Sequence, residues 1–150
     1  VLYGPGRDAG LTSSPTTAMK CVALGLPYQI PFRSRQDYLY APDVGGAVGN
    51  AVLEPFDGYG VFTLPSRTLE TSQIVEAMKE VAADLGIGEQ FEITVGDEEV
   101  PFICDLDFEP FIAAFPNVPH TALKQALRRS IEVFQDQVRR GWLTKSAGTR

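Results

Sequence analysis

Two arginines, Arg33 and Arg35, sit in the short polar segment Arg33-Ser34-Arg35-Gln36 between two aromatic stretches, and a third, Arg7, follows a glycine-proline run near the start. A guanidinium presents forked donors that match phosphate or carboxylate oxygens two at a time, so these three define a candidate anion site. Against it stands the reading that they are solvated surface charges in a chain with 19 acidic and 13 basic residues. His120 is the only histidine and has no nucleophile or acid beside it, which favours local capping or exposure over proton transfer. The run Asp97-Glu98-Glu99 reads as a solvated acidic turn. Asp105 and Asp107 share one side of an extended segment, but without further oxygen ligands at calcium-loop spacing they read as solvated or capping groups. Gly4-Pro5-Gly6, with Gly10 beyond, follows an apolar stretch as a phosphate loop would. Its third glycine comes one place late for G-x-G-x-x-G, and the dinucleotide-loop reading falls. Gly45, Gly46 and Gly49 follow Pro42 and Asp43, which already start a helix, so they belong to its body, where a close helix contact is the simplest explanation.

Whole classes of function can be set aside. A net charge of -6 disfavours a nucleic-acid partner, because binding a phosphate backbone needs clustered Lys and Arg. No stretch approaches the roughly 20 apolar residues that cross a bilayer, and the first residues lack the charged-then-apolar order of a signal peptide. Cys21 and Cys104 have neither CxxC spacing nor a nearby histidine, so no metal site or disulfide framework is expected and a cytoplasmic setting fits. With 150 residues, 44% of them hydrophobic, one sizeable core is affordable. A single domain over 1–143 with a loose tail over 144–150 is expected.

The elements that must carry these residues alternate between strand and helix. Val1 to Tyr3 reads as a strand running into the Gly4-Pro5-Gly6 turn. Ser14 and Pro15 open a helix over about 15–24 that Gly25 stops. Tyr28–Phe32 and Asp37–Tyr40 read as strands, the first at a sheet edge because Pro31 cannot donate to a ladder. Val44, Ala47, Val48, Ala51 and Val52 mark one face of a helix starting at Pro42. A short strand is expected over Gly60–Leu64, then a Thr71-capped helix to Leu85, the most periodic in the chain. Phe91, Ile93 and Val95 alternate with Gln90, Glu92 and Thr94 as a half-exposed strand. Phe108–Phe115 reads as a short helix with Pro110 in its first turn, and Leu123, Leu127, Ile131, Phe134 and Val138 as the apolar face of a last helix ended by Gly141. The strands are few and short for a doubly wound sheet of their own. They are expected to extend or cover a sheet supplied by sequence upstream of Val1.

The order of pieces from Val1 to about Val138 resembles the second half of extended short-chain dehydrogenase-like NAD(P)-dependent epimerases and dehydratases. Leu2-Tyr3-Gly4-Pro5-Gly6-Arg7 stands for the family's V-Y-G-P segment, and Asp37-Tyr38-Leu39-Tyr40-Ala41-Pro42-Asp43-Val44 for its R-D-F-x-Y-V-x-D strand and following helix. Gly60–Leu64 and Thr71–Leu85 match the next strand and helix, and Val118-Pro119-His120-Thr121-Ala122-Leu123 resembles the closing P-x-T-x-L stretch. The resemblance implies an α/β fold (α+β as an isolated piece), the substrate-binding carboxy-terminal part of such an enzyme, with short mixed strands and four to five helices. It further implies that the backbone of Tyr3, Gly4 and Pro5 walls the nicotinamide end of the site, and that Arg7, Asp8, Thr12, Arg33 and Arg35 contact substrate. Gln36 holds the place of the family's substrate arginine, a departure that counts against a sugar nucleotide. The family's glycine-rich loop and Tyr-x-x-x-Lys pair lie upstream of the V-Y-G-P segment, and neither occurs here. The chain is therefore expected to be catalytically incomplete alone. NAD or NADP would bind only with an upstream cofactor-binding half, the substrate would be a hydroxylated or carbonyl small molecule such as a sugar or sugar nucleotide, and a homodimer is compatible. A different class of answer is a non-catalytic ligand-binding or regulatory module of the same descent, and a third is a purely structural interaction domain.

Overall fold

The computed structural model describes residues 1–10, 12–88 and 91–145, so Gln90 and 146–150 of the expected tail lie outside the described residues. Among the described residues the order is β1 (Leu2–Tyr3), α1 (Ser14–Leu24), β2 (Tyr28–Phe32), β3 (Arg35–Tyr40), α2 (Ala41–Leu53), β4 (Arg67–Glu70), α3 (Thr71–Asp84), β5 (Ile93–Glu98), α4 (Glu109–Ala114) and α5 (Leu123–Arg139). Five helices and short mixed strands make an α/β arrangement, as expected.

The strands form two small sheets. In one, β3 lies centrally, parallel to β1 with Tyr3 opposite Tyr40, and antiparallel to β4 with Tyr38 opposite Arg67. In the other, β2 runs parallel to β5. The ladder slips between Ile30 and Phe32, next to Pro31, which has no N–H to give. A Cβ on Gly96 would stand 2.4 Å from the Pro31 carbonyl oxygen, so only glycine fits opposite the slip.

Apolar spacing decides which helices make the core. In α3, Ile74, Val75, Met78, Val81 and Ala82 are buried, and in α5 Ala126, Leu127, Ile131 and Phe134 are. Both stripes pack with Ala18, Met19 and Val22 of α1 against Ile30, Phe32, Tyr38 and Ile93 from the sheets. Gly25 stops α1 in the left-handed region (φ +64°), and Leu26 N–H closes on Cys21 O at 2.9 Å.

Several expectations are corrected. Ser13, not Ser14, precedes α1, and its hydroxyl donates to Gly10 O instead of capping. Glu70, not Thr71, caps α3, through a reciprocal box with Gln73; the strand before it pairs Leu69 and Thr68 with β3. Gly60–Leu64 forms no strand: Phe62 there packs among Phe56, Phe111 and Phe115 in a second aromatic core, and no ladder partner is at hand. Asp97 and Glu98 belong to β5 and not to a turn. On α2 only Ala47 is buried, and Val48 and Val52 stay exposed at 55% and 79%.

The three α2 glycines also divide. A Cβ on Gly46 would come within 2.4 Å of Pro119 Cγ, a rigid ring, whereas Gly45 and Gly49 face open space. The close contact is with a loop, not a helix. Gly46→Ala should therefore destabilise the chain by about 1–3 kcal/mol through overpacking, while Gly45→Ala and Gly49→Ala should each stabilise it by about 0.5–1 kcal/mol. Urea unfolding of the three variants checks the split.

Candidate functional site

The parallel register of β1 and β3 brings the carboxyl ends of both strands to one edge, the position where ligand crevices form in open α/β sheets. Beyond Tyr3 the chain turns at Gly4, whose φ of +108° and close approach to the Tyr40 ring, 2.9 Å from an added Cβ, exclude a side chain. Gly4 N–H donates to Thr16 Oγ1 of α1 at 3.1 Å, and Arg7 N–H to Gly4 O at 3.2 Å. The Tyr3-Gly4-Pro5 segment is thus anchored to the core.

Around this edge lies a cleft lined by Tyr3, Tyr40, Asp43, Arg67, His120 and Thr121. Asp43, in the first turn of α2, takes Thr121 N–H and the Thr121 hydroxyl on its two carboxylate oxygens, each at 2.7 Å. That pair of bonds fixes the loop before α5, and Arg67 Nη2 meets His120 Nε2 at 3.1 Å beside it. Burial, foremost, pushes the Tyr3, Tyr38 and Tyr40 hydroxyls above the ordinary tyrosine range. None of the three is primed to lose a proton near neutrality, as a dehydrogenase acid–base tyrosine must be.

The opposite end of β3 holds Arg33 and Arg35. Arg35 makes a two-pronged ion pair with Asp105, at 2.6 and 2.8 Å, and Arg33 lies 3.6 Å from Glu99. Glu70 lines the same open cavity. Each guanidinium already faces a carboxylate, with which an incoming anion would compete. Arg7 follows the carboxyl end of β1, next to Tyr40, so the register separates it from Arg35 by the length of β3. The three arginines do not form one cluster. Arg7 turns back on its own loop, bonding Ala9 O and, at 3.3 Å, Thr12 Oγ1. Asp8 pairs with Lys20 at 2.6 Å. Gln36 is wholly buried on the core side of β3, its amide nitrogen and oxygen without partners among the described residues. Asp107 caps α4 by accepting Glu109 N–H.

Sequence reasoning missed Arg67, because the strand was expected at Gly60–Leu64, and missed Asp37. The Asp37 carboxylate accepts the Thr68 hydroxyl at 2.6 Å and the N–H groups of Asp105 and Leu106 at 3.0 and 3.1 Å. It thereby ties the 105–106 segment across β3 and β4. The pattern Thr68-x-Glu70-x-x-Gln73, a strand ending in a capping box, was the signal that could have placed Arg67.

Burial, the largest single influence on Asp37, works to raise its pKa; the bonds from Thr68, Leu106 and Asp105, with the charge of the amino terminus, outweigh it and leave the group below its ordinary 3.8. A depressed folded pKa contributes stability that is full above 3.8 and is lost as pH falls through the lower folded value. The prediction is that Asp37→Asn is less stable at pH 7 by about 1–3 kcal/mol. It should also show a flatter fall in stability below about pH 4 than the parent; urea midpoints across that pH range decide it.

No family model matches the chain, and no curated protein matches it in sequence. Solved structures do match in fold. UDP-glucuronic acid 4-epimerase from Bacillus cereus, in complex with NAD, superposes with a TM-score of 0.63 at 13% identity, over 94% of this chain and 42% of that one. RMD from Pseudomonas aeruginosa, complexed with NADPH, gives 0.64 at 14% identity, over 90% and 45%. TunA, an NAD-dependent NDP-hexosamine 5,6-dehydratase involved in tunicamycin biosynthesis, gives 0.64 at 14% identity, over 90% and 43%. The chain spans less than half the length of these structures. Its fold is that of one portion of these structures, and this coverage fits the carboxy-terminal portion that the motifs implied.

Proposed function

We propose that the chain is the substrate-side part of a longer NAD(P)-dependent epimerase, dehydratase or reductase acting on a hydroxylated or carbonyl small molecule. The observation that supports this most is β1. It is two residues long, parallel to β3 and at the edge of its sheet, with Leu2 still 37% exposed. Parallel strands are stable where both neighbours and both faces are covered, so a strand placed this way fits the flank of a larger parallel sheet. An upstream cofactor-binding half supplying the next strand would leave Tyr3, Gly4 and Pro5 at the carboxyl edge, where nicotinamide would lie against their backbone.

In that arrangement this chain's residues shape the site and leave hydride and proton transfer to the other half. The bound cofactor would supply the hydride chemistry. Within these 150 residues there is neither a G-x-G-x-x-G loop nor a Tyr-x-x-x-Lys pair to do so. Arg7, Asp8 and Thr12 stand on the same edge, and a substrate could recruit them from their mutual contacts. Arg33 and Arg35 would meet a substrate in competition with Glu99 and Asp105.

Titration with NADH and NADPH, read by nicotinamide fluorescence, tests the reading. The 150-residue chain should show no saturable binding below about 1 mM, and the longer protein that includes upstream sequence should bind one of them with Kd on the order of 1–100 μM. Tight binding by the short chain, or none by the longer one, contradicts it.

A further inference from the structure

A second cavity, of ≈ 250 Å³, shares Arg67, Val118 and His120 with the cleft beside Tyr3. Helix α4 and the residues that flank it present two faces: Phe111 and Phe115, four apart, plug the second core, while Phe108 and Ile112, also four apart, line this cavity. Pro116 and Val118 continue the apolar wall, and Arg67 and His120 supply the charge and the polar edge. Arg33, Arg35, Arg128, Arg139 and Arg140 each have a carboxylate within ion-pair distance. Arg67 has none among the described residues, and its recorded partner is the His120 ring, 3.1 Å away. A guanidinium only donates, so Nε2 must accept that bond, and the ring carries its proton on Nδ1. The polar end of the cavity therefore offers donors: the remaining guanidinium N–H groups, a positive charge and the imidazole N–H.

We infer that this cavity binds a small carboxylate with an apolar body, the carboxylate on Arg67 beside His120 and the body between α4 and the Pro116–Val118 wall. As to binding, the inference stands on the cavity; that the bound molecule is the substrate rests on the function proposed above. The register supports the placement. Tyr38 opposite Arg67 holds the guanidinium at the carboxyl end of β3, and the Asp43 bonds to Thr121 hold His120 against it. An apolar wall with a single unanswered cation suits this ligand better than a sugar nucleotide, whose hydroxyls and diphosphate need many polar partners.

His120 is the only histidine, so its ring signals report the site without ambiguity in a proton NMR titration of the 150-residue chain. Phenylacetate is the probe, with phenylacetamide as its neutral counterpart and inorganic phosphate as an anion without an apolar body. Phenylacetate should shift the His120 signals saturably with Kd on the order of 1 mM. Phenylacetamide and phosphate should each bind at least about tenfold more weakly, a difference of ~1.4 kcal/mol. Arg67→Gln should lose about the same factor, and Ile112→Phe should block phenylacetate, both with amide spectra that otherwise match the parent. Equal binding of acid and amide, phosphate binding as tight as phenylacetate, indifference to both substitutions, or no saturable shift up to tens of millimolar would overturn the inference. Phenylacetate binding that follows these rules in a protein whose longer form ignores NADH and NADPH would leave this site standing and remove the function proposed above.

Discussion

Everything at the candidate site depends on one pairing, the parallel register that sets Leu2 and Tyr3 beside Leu39 and Tyr40. Because the two strands point the same way, the loop leaving β1 and the start of α2 emerge at a common edge. The antiparallel partner β4 then enters at that edge with Arg67 and leaves at the other with Glu70. Reverse the sense of β1 and Gly4 would sit back along β3, beside Tyr38, instead of at the shared edge. The pairing is short, and tyrosine packing reinforces it: the Tyr3 ring lies 6.3 Å from Tyr38 and 5.7 Å from Tyr40, centroid to centroid, all on the core side.

Two carboxylates convert that sheet into a shaped edge. Asp37 points away from the core side of β3 and gathers the 105–106 backbone, while Asp43 gathers Thr121. Each satisfies N–H groups of irregular segments that would otherwise have no partner, and charge-assisted bonds of this kind contribute about 1.5–3 kcal/mol each. The loops before α4 and α5, which carry part of the apolar cavity's wall, are held by two acids of the strand-and-helix unit Asp37–Asp43.

Much of this was legible in the sequence because it rests on local chemistry. The helices α1, α3, α4 and α5, the stop at Gly25 and the edge character of β2 follow from apolar spacing, caps and a proline. Strand β4 was not legible where it lies, since Val61, Phe62 and Leu64 look more strand-like than Arg67-Thr68-Leu69-Glu70. Pairing with β3 outweighed propensity, and Phe62 went to an aromatic core. The arginine cluster misled for a related reason: Arg7, Arg33 and Arg35 are near neighbours only if strand direction is left open. Their carboxylate partners Glu99 and Asp105 lie some 65 to 70 positions away in sequence, beyond any spacing rule. The exposed face of α2 and the outer edge of β1 read as ordinary elements from sequence, and only packing shows that nothing among the described residues pairs with that edge or buries Val48 and Val52.

Under the proposed function, ligands meet this chain at the carboxyl edge of β1 and β3, against a sheet continued by another half. A crystal structure of the longer protein with NAD or NADP bound tests it most directly. An upstream strand parallel to β1 on its free side is expected, with the nicotinamide ring against the backbone of Tyr3 to Pro5. A structure in which β1 remains an edge strand, or in which the cofactor sits beside Arg33 and Arg35, would contradict it.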